Sequence, residues 1–596
     1  MKEGSAVNQD RGMGRRVWFL LQLLLIVSWM SNLALTDAYV SVYALCTVVA
    51  VVSTYDNYRN RSCVKQGKKA VALLSVLFSL AVVLANYPLF QVVRDSSTVS
   101  ADTNRFLNCY NAVATYLGGI VVAYHTQTAI LVRYPKKILS DCDRDKPTIV
   151  FFSLFSLFLA QYLVYLLFVV YPGSVTSDSV GQIIQTYTGQ YINNHPYWHT
   201  QLIHLCMSAG YHLFGSVNAA AATYSFVQSC FMAACFAYAG VTLYQRGIPK
   251  VWLYVSMGMY LILPNHFTYS CTMWKDVPFS LSILLMITAM IRILDWVGKN
   301  TCLNYGMFCL GLIGSCLMRT NGWFVILVML GIITPFLWKH NRKMLFSGIS
   351  CLILTWVMLN PLLSMMGVQK TNMLEALSLP IQQVSRVIVE GGELTQEQTE
   401  LLDAVVDRSV IPTEYDPNCS DQMKDAILIK SYDGIHVIRG HWQEYLKLWL
   451  NLEHRYPRQY LEAWIEETKG YWNAGYDYYI YAEYVSDNDF GICMPRQSNP
   501  IHNLVKAYCM FTRESRLFEP PQSIGLHVWL TIFLFSMTLS GKRKEWPVYI
   551  PLLVILGGLW LGTPVFAEFR YAYPVFAAFP LLLPLALHRE QEPSVG

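Results

Sequence analysis

Apolar residues gather along this chain in runs of about 20, the length that carries an α-helix across the hydrocarbon core of a bilayer. The runs predict membrane helices near 17–35, 38–55, 70–92, 107–131, 148–170, 218–243, 251–265, 277–295, 303–318, 321–338 and 344–366, then 524–540, 547–563 and 573–588. The fold class that follows is an α-helical polytopic membrane protein with about 14 transmembrane helices. Arg15 and Arg16 precede the first run as they would in a signal peptide. No small-residue cleavage site follows, and a second run begins at once, so the first run reads as a retained helix.

Between 366 and 524 the pattern changes. Residues 367–523 hold 14 basic and 23 acidic residues, against 30 and 16 in the rest of the chain. A watery, acidic block of ordinary domain size interrupts a basic, apolar chain, and it reads as a mainly α extracytoplasmic domain. Thr395 and Gln398 have the spacing of a capping box. Pro380 breaks the helical spacing around it, and Trp442 to Lys469 reads as one long amphipathic helix. Trp472, Tyr476, Tyr478 and Tyr479 can stack on sugar faces or fill a core. Asp416, Asp421 and Asp425 suggest calcium but lack EF-hand spacing. Cys419 and Cys493 can pair in an oxidising exterior, leaving Cys509 over.

Lys and Arg clusters mark cytoplasmic loops. Arg59 to Lys69, Arg133 to Lys146, Arg246 and Lys250, Lys339 to Lys343 and Lys542 to Lys544 all fall inside if the N-terminus is inside. Loop 171–217 and block 367–523 then lie outside, and both termini are cytoplasmic. Residues 197–215 are apolar enough to cross, yet a crossing would move every later basic loop outside. They are therefore expected along the interface, with His199, His204 and His212 on an amphipathic helix. The organisation expected is a four-helix module over 1–147, a membrane core over 148–366 carrying outer loop 171–217, the acidic block over 367–523, and C-terminal helices over 524–596.

Composition sharpens the class. Hydrophobic residues make up 54% and charged residues 14%, with mean hydropathy +0.33. An average soluble domain carries about 25% charged residues. A disordered chain, a coiled coil and an ordinary soluble enzyme are excluded. A net charge of +5 makes no case for nucleic acid, and the 15 cysteines show no CxxC spacing for zinc.

Scarce charges on the outer side are the candidates for chemistry. Ser177 or Asp178 can cap a helix after the Tyr171-Pro172-Gly173 turn, and a carboxylate there can act as a general base toward an acceptor hydroxyl. Asn194-His195-Pro196 follows. Lys275 and Asp276 begin the eighth span, against the positive-inside bias. Arg319 lies between two short spans, where an arginine is usually paired or functional. Arg570, next to Tyr571 and near Glu568, offers a planar fork for phosphate. Cations suit an anionic lipid-linked substrate, and an acceptor hydroxyl needs a base.

At these residues the sequence resembles GT-C type glycosyltransferases, multi-spanning enzymes that use polyprenyl-phosphate sugars. Asp178 in TSDS matches the family's acidic residue in a major outer loop, Asn194-His195-Pro196-Tyr197 resembles its His-Pro motif, and Arg570-Tyr571 matches a late Arg-Tyr before proline. More narrowly, YPGSVTSDS, MWKD, RTNG, LPIQQVSRVI, YDPNCSDQMKD, WIEETKGYW and EFRYAYP resemble a family of large Gram-positive multi-pass membrane proteins of unassigned function. The resemblance implies a bacterial plasma-membrane enzyme that moves a sugar from a polyprenyl-phosphate donor to a glycan, lipid or protein acceptor. Asp178 would be catalytic, and His195, Lys275, Asp276, Arg319, Arg570 and Tyr571 would bind substrate, with a divalent cation left open. The acidic loop here follows the fifth span rather than the first, and Ser179 stands where a second acidic residue is usual. Three alternatives remain. One is an O-antigen-ligase or polymerase-like enzyme using Arg439, His441, Arg455 and Arg458 of the block. A second is a non-enzymatic transporter of a lipid-linked substrate, and a third is a scaffold or receptor whose outer domain binds a protein.

Overall fold

A helix lies over each predicted apolar run. The computed structural model describes residues 2–34, 40–60, 67–86, 101–133, 146–295, 301–370, 373–430, 434–475, 483–495 and 499–588. The N-terminal module is α1 (Lys2–Leu33), α2 (Val40–Asn60), α3 (Lys68–Asn86) and α4 (Ala101–Arg133). Then come α5 (Pro147–Phe168), α6 (Ser177–Thr188), α7 (Tyr197–Phe214), α8 (Val217–Gln245), α9 (Lys250–Ile262), α10 (Pro264–Ser270), α11 (Asp276–Asp295), α12 (Thr301–Leu317), α13 (Gly322–His340), α14 (Arg342–Leu359) and α15 (Pro361–Met365). The acidic block contains α16 (Ser378–Val389), α17 (Gln396–Asp403), α18 (Ile411–Glu414), α19 (Asp421–Lys430), α20 (Gly434–Gly440), α21 (Trp442–Arg455), α22 (Pro457–Thr468), α23 (Pro500–Glu514) and α24 (Glu519–Gln522). The chain closes with α25 (Ile524–Ser540), α26 (Ile550–Gly562) and α27 (Phe569–Leu587).

Among the described residues, 9 helices are long and apolar enough to cross a membrane, and shorter apolar helices include α9 and α25. The protein is an α-helical membrane protein. α4 is long but is not one of the nine. Burial ranks the spans: 83% of the apolar window of α11 and of α27 is inside the protein, against 22% for α5 and 28% for Arg342–Met365. α11 and α27 are therefore the central posts, and lipid-facing helices surround them. Between helices in lipid, close packing of small residues replaces the hydrophobic effect. Gly311 of α12 illustrates this, since a Cβ there would lie 2.6 Å from the Met286 nitrogen of α11.

α7 is not among the nine helices long and apolar enough to cross. Its histidines do not share one environment, however. His204 and His212 are exposed, but His199 is fully buried, with Nε2 2.7 Å from the Tyr224 hydroxyl and Nδ1 beside Gln182. His199 ties α7 to α6 and α8 rather than facing an interface.

The block departs from expectation in detail. The Thr395–Gln398 capping box forms. Pro380 does not break a helix; it sits in the first turn of α16, where its missing N–H has no partner to lose. Residues 442–469 are not one helix. Pro457 opens α22, and the residue before a proline is pushed out of the helical region, so Tyr456 sits at φ −128°. Trp472 is 4% exposed and stacks on Trp464 at 5.7 Å, which makes it a core residue rather than a sugar platform. Tyr476, Tyr478 and Tyr479 lie outside the described residues. Cys419, Cys493 and Cys509 are all free thiols, so Cys419 and Cys493 do not pair; Cys419 is held in a turn against Val565. Asp421 pairs with Lys424 at 3.0 Å, and no calcium site forms around Asp416, Asp421 and Asp425.

Two apolar clusters build the block, one around Val405, Ile411 and Ile427, the other around Val387, Leu448 and Leu452. Glu467 of α22 is fully buried beneath them. Burial raises its carboxyl to about 8, against the opposing pull of Gln382 and Lys424. A carboxyl whose folded pKa is raised holds its proton longer than in the unfolded chain. Stability is then greatest below the ordinary glutamate value and falls as pH rises toward about 8. Glu467→Gln should raise the thermal midpoint at pH 8–9 (about the pH at which wild type carries the buried charge) and leave it nearly unchanged near pH 4. Thermal unfolding of the detergent-solubilised protein across pH checks this.

Candidate functional site

The site assembles around a short extended stretch, residues 171–176. On one side Ser174 N–H donates to Cys271 O at 2.8 Å, and Met273 N–H donates to Ser174 O at 3.0 Å. On the other, Val175 N–H donates to Tyr484 O at 3.1 Å, and Ser486 N–H donates to Val175 O at 2.8 Å. The stretch thus joins the entry to α11 with the acidic block. Gly173 allows the approach: it has φ +109°, and a Cβ would sit 2.1 Å from Ser225 Oγ.

α6 begins directly after this stretch. The N-cap position falls on Thr176, not on Ser177 or Asp178 as expected, and no side chain makes a capping bond. Thr176 Oγ1 accepts from Trp274 Nε1 at 2.9 Å, and Ser179 Oγ donates to Met273 O at 2.6 Å. These bonds hold the first turn of α6 against the segment that enters α11. Asp178 lies one turn position inside the helix, so its carboxylate is not engaged in capping.

It meets Arg570 instead. Arg570 is the second residue of α27, and its Nη1 donates to Asp178 Oδ2 at 2.7 Å. Its Nε lies 3.5 Å from Glu568 Oε1, so one guanidinium faces two carboxylates. The same group lies 5.0 Å from the centre of the Trp274 ring and 5.3 Å from that of Tyr571. Arg319, in the turn between α12 and α13, places Nη1 2.9 Å from Asp276 Oδ1 and stacks on Tyr571 at 4.6 Å. It does not snorkel away; aromatic faces attract the cation and the carboxylate neutralises it. Lys275 Nζ donates to His195 Nδ1 at 3.1 Å. The His195 loop is fixed by Asn193, whose N–H donates to Gln369 O at 2.9 Å and whose Oδ1 accepts from Tyr197 N–H.

All seven residues singled out from the sequence, spread from 178 to 571, come together at the ends of α11 and α27. Asp276 pairs with Arg319, while its neighbour Lys275 donates to His195. Trp274, Thr176 and Tyr269 were missed as members. Trp274 stands inside the MWKD motif and could have been found there. Tyr269 carries no signal in the sequence; its hydroxyl is buried without a hydrogen-bond partner among the described residues.

The electrostatics follow from this packing. Burial raises the Asp178 carboxyl, but Arg570, Lys275 and His195 outweigh it and hold the group below its ordinary value. Burial, aided by Lys275, lowers His195 to about 4, so at neutral pH its Nδ1 is free of a proton and accepts from Lys275. Burial also lowers Lys275, although Asp276 and Asp178 oppose it. Glu568 is raised by burial and by its acidic neighbours, against Arg570. Three carboxylates and three cations thus neutralise one another. Asp178, with a side chain 32% exposed, is more open than Asp276 at 1%. A divalent cation would find no group of three or more His, Cys, Asp or Glu side chains arranged to hold it among the described residues. Arg570, Arg319 and Lys275 are the members of this set that could face an anion.

A family model described as a family of unknown function, DUF6020, matches residues 183–595. The chain belongs to that family. The matched region contains His195, Lys275, Asp276, Arg319, Arg570, Tyr571 and the whole acidic block, so the cations of the site and the block occur together within it. It begins shortly after Asp178 and leaves α1 to α5 outside. No curated protein and no solved structure matches the chain.

Arg319→Ala removes the partner of a nearly fully buried Asp276. Leaving a buried charge unpaired costs about 3–5 kcal/mol, whereas removing both partners costs far less. Chemical denaturation in detergent should show Arg319→Ala much less stable than wild type, with Arg319→Met/Asp276→Leu recovering most of the loss.

Proposed function

We propose that this protein is a GT-C type membrane glycosyltransferase. It moves a sugar from a polyprenyl-phosphate donor to a cell-envelope glycan, lipid or protein acceptor on the outer face of a bacterial plasma membrane. In this reading both termini are cytoplasmic and the block 367–523 lies outside, where it selects the acceptor. The observation that carries the proposal is the gathering of Asp178 with Arg570, Lys275 and Arg319 where the two most buried membrane helices begin.

The chemistry follows from the charges. The acceptor oxygen attacks the anomeric carbon, and the bond from that carbon to the phosphate oxygen breaks. The leaving polyprenyl phosphate gains negative charge, which Arg570, Arg319 and Lys275 stabilise. Asp178 takes the acceptor's proton. Its bond to Arg570 keeps it ionised but weakly basic. A donor phosphate that draws Arg570 to itself loosens that bond and restores basicity when substrate is present. The apolar bundle offers its sides to the polyprenyl chain. Direct attack of the acceptor inverts the anomeric centre.

The ligase-like alternative has less support. His441 lies near Glu444, Arg455 pairs with Glu393 at 3.0 Å, and Arg458 pairs with Glu462 at 2.8 Å; each sits on the block's surface beside its own carboxylate.

In cells lacking the gene, mass spectrometry of envelope glycans should show one sugar addition missing, restored by wild type. Asp178→Asn should restore it poorly, with a rate about 10²-fold lower or worse, as for loss of a general base. Arg439→Ala and His441→Ala should restore it fully. Full restoration by Asp178→Asn, with failure of the two block variants, moves the chemistry to the large loop. An unchanged glycan profile on deletion moves the reading to transport.

A further inference from the structure

The acidic block contains a cleft that the glycosyl-transfer reading does not use. Its volume is about 420 Å³, and its walls come from α16, α17, α19, α20 and α21. Val384, Val405, Ile427 and Ile438 represent the lining, which is almost wholly apolar. Tyr445 and Trp449, two of the large side chains there, have their polar atoms engaged elsewhere. The Tyr445 hydroxyl donates to Leu401 O at 2.6 Å, and Trp449 Nε1 donates to Gln383 Oε1 at 2.9 Å. An occupant therefore finds hydrocarbon on every side and no hydrogen bonds. The volume is that of a small-ligand pocket. At about 30 Å³ for a water-sized group, it has room for on the order of a dozen methylenes, which is a single acyl chain rather than a long polyprenyl chain.

The mouth points to where such a chain comes from. Of the lining residues, Trp442 and Leu446 of α21 reach the surface, 53% and 44% exposed, and so mark an opening; Leu450, at 47%, continues the line. Spacing of i, i+4 and i+8 puts all three on one face of the helix, where a surface helix in water would carry polar residues. His436, Arg439, His441 and Lys447 flank this stripe, with Glu444 the one acid from 434 to 449, in a block that is acidic overall. An apolar stripe bordered by cations suits the surface of a bilayer that carries anionic headgroups. The block is joined to membrane helices at both ends, through α15 and α25.

We propose that this cleft takes up one acyl chain of an anionic phospholipid from the bilayer surface, with the headgroup held by Arg439 and His441. The proposal is independent of the chemistry at Asp178. The test uses the full chain in nanodiscs of phosphatidylcholine and phosphatidylglycerol, doped with phosphatidylglycerol that carries a diazirine in its acyl chain. After irradiation, mass spectrometry maps the labelled peptides. Adducts are expected on α16, α19 and α21 as well as on the membrane helices. Val384→Trp, and the milder Val384→Phe, should lower the block adducts about tenfold by excluding two or three methylenes. Adducts on the membrane helices, unchanged in both variants, report that the protein is folded. Arg439→Glu should lower block labelling by the phosphatidylglycerol probe and not by a matching phosphatidylcholine probe. Wild-type adducts confined to the membrane helices, or block adducts that survive filling of the cleft, overturn the proposal. Equal response of both probes to Arg439→Glu overturns its anionic headgroup.

Discussion

The ion pair between Asp178 and Arg570 is the contact on which the rest of the site depends. Its partners stand almost 400 residues apart in sequence (178 and 570), and they meet at 2.7 Å. Neither charge could be held in so closed a place alone, because the desolvation of a single ion exceeds what ordinary packing returns. The pair therefore joins α27 to α6, which Thr176 and Ser179 hold against the entry to α11. The aromatic faces of Trp274 and Tyr571 hold the arginines without adding charge. Three acids and three cations then stand together at this place, and the proposed chemistry would exchange one acid for the donor's phosphate.

The segments that carry this pair also touch the acidic block. The Tyr471 hydroxyl donates to Val565 O at 2.9 Å and accepts from Glu568 N–H at 3.1 Å, so the block touches the segment that leads into Arg570. On its other side the block pairs with Val175, shortly before Asp178. An acceptor bound by the block would thus lie near both ends of the ion pair. In the proposed reading, this continuity would bring the block's acceptor to the donor held in the membrane part.

The helices and the charged residues at their ends were legible in the sequence, for a physical reason. Charge at the end of an apolar run is costly, so Lys275, Arg319 and Arg570 stand out against their surroundings and demand partners. The runs themselves have lengths set by the bilayer. What stayed hidden depends on geometry that spacing does not encode. Asp276 could serve Lys275 or Arg319, and only the close approach of α12 and α11 decides for Arg319. Cap position shifted by one or two residues to Thr176 because Trp274, from a distant segment, engages its hydroxyl. Tyr456 breaks a seemingly continuous helix through the steric demand of Pro457. Cys419 and Cys493 look like a pair only until the chain places one against Val565 and the other beside Asn218.

Binding and turnover of a purified donor test the central claim most directly. The protein in detergent micelles would be titrated with a short-chain polyprenyl-phosphate hexose, following thermal stability for binding and release of polyprenyl phosphate for turnover. If the cluster binds phosphate and carries the base, wild type is stabilised and releases product with an added acceptor. Arg570→Ala should lose the stabilisation, while Asp178→Asn should keep it and lose release. Donor binding that is indifferent to Arg570, or product release that survives Asp178→Asn, would contradict the account.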